Sequence, residues 1–113
     1  MDFTSTLSLF EKHLIQKGRS HFTITAYRKD LEQLIDFLVK NKITKWNQTN
    51  ERILEKYFQQ LTLDAELSPK SISRKINSTK TLYKFLISEK EIDQNHSTGI
   101  KHPRIQTQVP RLL

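Results

Sequence analysis

Between Ser68 and Ser88 the sequence carries five cations, Lys70, Arg74, Lys75, Lys80 and Lys84, and no Asp or Glu. Ammonium and guanidinium groups at that density suit the oxygens of a polyanion, because lysine neutralises a phosphate as a point charge and arginine grips two acceptors with one planar fork. Ser71, Asn77, Ser78 and Thr81 lie among them and add short hydrogen-bonding groups. A solvated helix ordinarily mixes charges of both signs, since like charges one turn apart repel. A run without acids therefore points to a negatively charged partner outside the chain.

Other chemistries find no support. The four histidines, His13, His21, His96 and His102, have no partner at the i, i+3 or i, i+4 spacing of a helical metal site, and the chain has no cysteine. Two glycines, Gly18 and Gly99, are too few for a phosphate-cradling loop, and no Ser stands with a His and an acid at a recognisable spacing. Glu51 and Glu55 are one turn apart, but each has a cationic neighbour, Arg52 or Lys56, so a salt-bridged surface is the expectation. No active site, metal, cofactor or small-molecule ligand is expected.

At 113 residues the chain suits one domain able to bury its own core. Its net charge of +7 and pI near 9.8 favour nucleic acid or another anionic partner. Acid-free basic runs occupy Lys12 to Lys29, Ser68 to Ser88 and the tail beyond Gln94. Between them, Thr49 to Glu66 holds Glu51, Glu55, Asp64 and Glu66 against only Arg52 and Lys56. One cationic surface and one outward surface would produce this distribution. No window approaches the roughly 18 apolar residues of a membrane span, and the start lacks the basic and apolar regions of a secretion signal. A soluble, unprocessed, cytoplasmic protein is expected.

Apolar periodicity predicts four helices and no strand. The first runs from a cap at Thr4 or Ser5 to Lys17, with the stripe Phe3, Leu7, Phe10 and Leu14 and a stop at Gly18. Thr23 is the expected cap of the second, whose stripe is Tyr27, Leu31, Leu34 and Leu38. Trp46 sits in a short connector as a cover over the core. Thr49 or Asn50 caps the third, with Ile53, Leu54, Tyr57, Phe58 and Leu61 turned inward. Ser68-Pro69 opens the fourth, which runs to about Lys90 with a stripe of Ile72, Ile76, Thr79, Tyr83 and Leu86. Centring its buried side on Ile76 sets Lys70, Arg74, Asn77, Ser78 and Thr81 opposite, with Lys75, Lys80 and Lys84 on the flanks. Phe85 falls outside the stripe and is left for a neighbouring protomer or the tail. Gln94 to Leu113 has no stripe and contains Gly99, Pro103 and Pro110. The expected division is a helical domain over 1–94 and a linker over 95–113.

Two segments carry a resemblance. TITAYRKDL at 23–31, followed by IDFL at 35–38, and SISRKINSTKTLYKFL at 71–86 resemble the helix patterns of the N-terminal core-binding domain of tyrosine site-specific recombinases, the phage integrase and Xer-type group. In the tail, Lys101-His102-Pro103-Arg104 and Pro110-Arg111-Leu112-Leu113 are similar to that family's exit toward a catalytic domain, although Asn95 is followed by His96 where members often have Pro. The resemblance implies a four-helix SAM-like bundle forming half of a C-shaped clamp on duplex DNA, with the second and fourth helices across the major groove. It implies a DNA-binding role in integration or recombination, an isolated domain that is monomeric, and a parent protein tetrameric on paired sites. The family's catalytic His-x-x-Arg is absent, since none of the four histidines has Arg three positions on, so no catalytic residue is carried over and this chain is expected to bind without cutting. The expected DNA contacts are Thr23, Thr25, Arg28 and Lys29 on the second helix, and Lys70, Ser71, Arg74, Lys75, Asn77, Ser78, Lys80, Thr81 and Lys84 on the fourth. The rival readings are a basic helical module for an acidic protein partner and a free-standing DNA-binding regulator.

Overall fold

The computed structural model describes residues 2–64 and 66–101. It contains four α-helices, α1 (Phe3–Gln16), α2 (His21–Lys40), α3 (Glu51–Thr62) and α4 (Pro69–Ser88), with one 3-10 turn at Trp46–Gln48 and no strand among the described residues. The all-helical four-helix expectation holds.

Each helix opens on a side-chain oxygen that accepts one of the backbone N–H groups left over in a first turn. Asn50 Oδ1 accepts from Ile53 N at 2.9 Å, and Ser68 Oγ from Ser71 N at 3.1 Å, as anticipated. Pro69 follows Ser68 at the position where a missing N–H costs nothing. The first two caps differ from expectation. Asp2, not Thr4 or Ser5, caps α1, its carboxylate accepting from Ser5 N at 2.7 Å. That contact also holds the Asp2 carboxyl below its ordinary range, the backbone hydrogen bond from Ser5 being the main cause. Ser20, not Thr23, caps α2, accepting from Thr23 N at 3.0 Å, so Thr23 and Thr25 lie inside the helix.

Three of the four helix ends, those of α1, α2 and α4, share one geometry. Gly18, Lys42 and Lys90 take left-handed φ values of 77°, 64° and 61°. The residue after each donates to the carbonyl five positions back: Arg19 N to Leu14 O at 3.1 Å, Ile43 N to Leu38 O at 2.9 Å, and Glu91 N to Leu86 O at 3.0 Å.

Helix α2 packs on α1 and α4, and α3 packs on α4, so α4 is flanked on several sides. Its buried face is accordingly wider than one stripe: besides Ile72, Ile76, Thr79, Tyr83 and Leu86 it buries Lys75, Ser78, Leu82 and Phe85. This corrects three expectations. Lys75 is not on an open flank, Ser78 is not on the far side, and Phe85 meets its own chain, its ring 5.5 Å from that of Phe10 and 5.0 Å from that of His13. Trp46 covers the core as anticipated and is 1% exposed. Its indole Nε1 donates to Thr6 Oγ1 at 2.8 Å, and its carbonyl accepts from Thr49 Oγ1 at 2.7 Å. The Tyr83 hydroxyl donates to that same Thr49 oxygen at 2.7 Å, which ties α1, the 3-10 turn and α4 through one buried polar chain.

Beyond α4 the chain returns over the bundle without regular structure. Ile92 and Ile100 join the core and Ser97 is fully buried. The Glu51 carboxylate at the start of α3 lies against Gly99, where a Cβ would collide with it. Of the segment expected as linker, 95–101 is described; His102 to Leu113 lies outside the described residues.

Candidate nucleic-acid interface

Burial sorts the thirteen expected contact residues. Thr25, Lys29, Lys70, Arg74, Asn77 and Lys84 are exposed, and Thr23, Arg28, Ser71, Lys80 and Thr81 are partly exposed. Lys75 and Ser78 are buried, at 5% and 0% exposure, and leave the surface set. Their polar atoms are spent internally. Lys75 Nζ donates to Asp30 Oδ1 at 3.1 Å and to Gln33 Oε1 at 2.5 Å, while Ser78 Oγ donates to Lys75 O at 2.9 Å.

The acid that gathers this cluster is Asp30 of α2, itself 3% exposed. Arg74 approaches it side-on, with Nε 3.0 Å from Oδ2 and Nη2 2.8 Å from Oδ1. One buried carboxylate thus faces a guanidinium and an ammonium from α4, and the group carries a net positive charge. Hydrogen bonding to Asp30 is the main reason that the Arg74 guanidinium is held even further above its ordinary value, so it is charged throughout the working range. Burying a charge is tolerable only with partners of this quality. The pairing also sets α2 against α4 at Asp30.

Arg28 is engaged differently. It pairs with Glu11 of α1 and more loosely with Glu32 one turn on, at 3.5 Å. Hydrogen bonding to Glu11 is the chief cause that raises it above its usual value. Lys29, Lys70, Lys80 and Lys84 form no ion pair among the described residues, so their charge is uncompensated on α2 and α4. The salt bridges expected on α3 are likewise not formed: neither Glu51 with Arg52 nor Glu55 with Lys56 pairs.

A cleft between the end of α1 and the outer side of α4 brings Lys17 and Arg19 together with Thr81 and Lys84. Reading the sequence for contacts passed over Lys17 and Arg19, because they stand in the α1–α2 connection and not on a helix face. The signal was present in the acid-free run from Lys12 to Lys29. No described helix is long and apolar enough to cross a membrane.

Residues 7–90 match the phage integrase, N-terminal SAM-like domain. The chain belongs to that family. The domain is 31% identical over 113 residues to tyrosine recombinase XerD of Rickettsia bellii, covering 100% of this chain and 36% of that protein. It is 29% identical over 109 residues to tyrosine recombinase XerC of Anoxybacillus flavithermus, covering 96% of this chain and 36% of that protein. With XerC of Leptospira interrogans serovar Lai it shares 32% identity over 97 residues, 86% of this chain and 31% of the relative. The domain therefore spans about a third of the length of the recombinases it matches. No solved structure matches it.

Proposed function

We propose that this SAM-like domain is the DNA-binding, core-binding part of a tyrosine recombinase, holding duplex DNA at recombination core sites while residues outside the chain cut and rejoin it. The observation that carries the reading is charge that the fold leaves unpaired. Asp30 takes up Lys75 and shares Arg74, and Glu11 and Glu32 take Arg28, yet Lys29, Lys70, Lys80 and Lys84 stand without acids on α2 and α4. Like charges left together in this way repel, and a polyphosphate relieves the repulsion while releasing its counterions. Thr23, Thr25, Ser71, Asn77 and Thr81 complete the surface with hydrogen-bonding groups, and the Lys17–Arg19 cleft extends it toward α1. Lys75 and Ser78 support this surface from behind. Family membership and the similarity to XerC and XerD make duplex DNA the polyanion of choice. The working place is the cytoplasm, and the isolated domain acts as a monomer that joins a tetramer only through its parent protein.

Titration of a fluorescent 30-base-pair duplex at several salt concentrations tests this. Binding should weaken linearly in log salt, and Lys84→Ala should weaken all duplexes alike while flattening the slope by roughly 0.9. An acidic protein partner in place of DNA would show instead as no retention of duplex at low salt.

A further inference from the structure

Arg74 is the one exposed cation of α4 that is also anchored to a buried acid. Its side chain is 45% exposed and that of Asp30 is 2% exposed, so the edge of the guanidinium taken by Asp30 is the inner one. A guanidinium has five N–H donors. Asp30 uses two, on Nε and Nη2, and Nη1 has no hydrogen bond among the described residues. The outward hydrogens of Nη1 and Nη2 thus form a second fork, parallel to a pair of acceptors such as O6 and N7 of guanine. A free arginine must freeze several rotatable bonds to present that fork, whereas this one is already held.

We propose that Asp30 is a positioning residue for DNA reading: it clamps the inner edge of Arg74 so that the outer fork meets a base edge in the major groove, while Lys75 only balances the buried carboxylate. The proposal rests on the DNA-binding reading above and goes beyond it by assigning base recognition to an acid that touches no DNA. An arginine held merely to lock α2 on α4, or to meet a phosphate, would be replaceable by lysine in its outward role. A reading fork would not be, because lysine has one nitrogen and cannot serve Asp30 and two base acceptors together.

The test is selection by the purified 113-residue chain from duplexes with a randomised centre, followed by sequencing of the retained pool. The chain should enrich guanine at one base pair. Arg74→Lys should flatten that position about tenfold and leave the other positions and the salt slope as they were. Asp30→Asn alone strands the Lys75 charge and risks unfolding, so it is combined with Lys75→Met, which removes both charges of that pair. The double variant keeps Arg74 but offers it one acceptor oxygen in place of two, which loosens the clamp, and should flatten the same position. Lys75→Met alone should leave the profile unchanged. Full retention of the preference in Arg74→Lys, or in the folded double variant, overturns the proposal, as does a wild-type chain that retains duplex without preferring any base. Failure to retain duplex at all would instead bring down the DNA-binding reading, and this assignment with it.

Discussion

At the scale of single residues, partners decide what a polar group does. Tyr83 and Tyr57 illustrate it with the same phenol. Burial pushes Tyr83 up to about 12 from an ordinary 10.0, against a smaller downward pull from its bond with Thr49. Tyr57 rises too, chiefly through burial, with Asp30 and Asp36 adding to the effect, and its hydroxyl has no hydrogen-bond partner among the described residues. In both, the fold favours the neutral phenol, so the unfolded chain gives up its proton first as the pH rises. Their contribution to stability is complete below about pH 10 and is lost as the pH climbs from there, for Tyr83 through its folded value of about 12. Urea unfolding at pH 9, 10 and 11 should show this decline, and Tyr83→Phe should make it shallower, at a cost of about 1 kcal/mol at neutral pH for the lost bond to Thr49. An equally steep decline in the variant would mean that other groups set the alkaline limit.

At the scale of elements, each helix is bounded by its first and last turns, and the three left-handed stops differ in their side chains. Gly18 takes φ 77° with open space where a Cβ would go, so only backbone strain opposes a larger residue. Lys42 and Lys90 adopt nearly the same conformation with a Cβ present, which costs roughly 1 kcal/mol at a single position. Opposite signs follow: Gly18→Ala should destabilise by about 1 kcal/mol, and Lys90→Gly should be neutral to stabilising by up to about 1 kcal/mol. Denaturant midpoints at constant slope measure both. Destabilisation by Lys90→Gly would show that its side chain does more than cover the end of α4.

At the scale of the whole molecule, α4 exposes cations and no acid, whereas α3 exposes Glu51 and Glu55 beside Arg52 and Lys56. Glu51 and Glu55 are exposed on α3, while Lys29, Lys70, Arg74 and Lys84 are exposed on α2 and α4. Adding duplex DNA to isotopically labelled protein should therefore move amide signals at Lys29, Lys70, Arg74 and Asn77 and leave those of 51–62 in place. Movement confined to α3 would reverse the proposed docking. The return of the chain over the bundle matters at this scale as well. With Ile92, Ser97 and Ile100 buried, the described stretch after α4 lies against the bundle and brings Gly99 beside Glu51 at the start of α3.

Local and periodic information was enough to read the four helices, their inward stripes, the Ser68-Pro69 start of α4, the role of Trp46 and the family likeness, because a 3.6-residue repeat and a cap are written in neighbouring positions. The cap of α2 lies three residues before the expected one, because Ser20 and Thr23 are both capping types and the expectation rests on the later one, whereas Ser20 accepts from Thr23 N. The fate of individual charges was beyond the sequence. Lys75 and Arg74 look alike along the chain, yet Asp30 lies 45 residues from the first and 44 from the second. Only the packing of α2 on α4 buries one of these cations, leaves the other half open, and turns a uniform basic run into a surface with distinct parts.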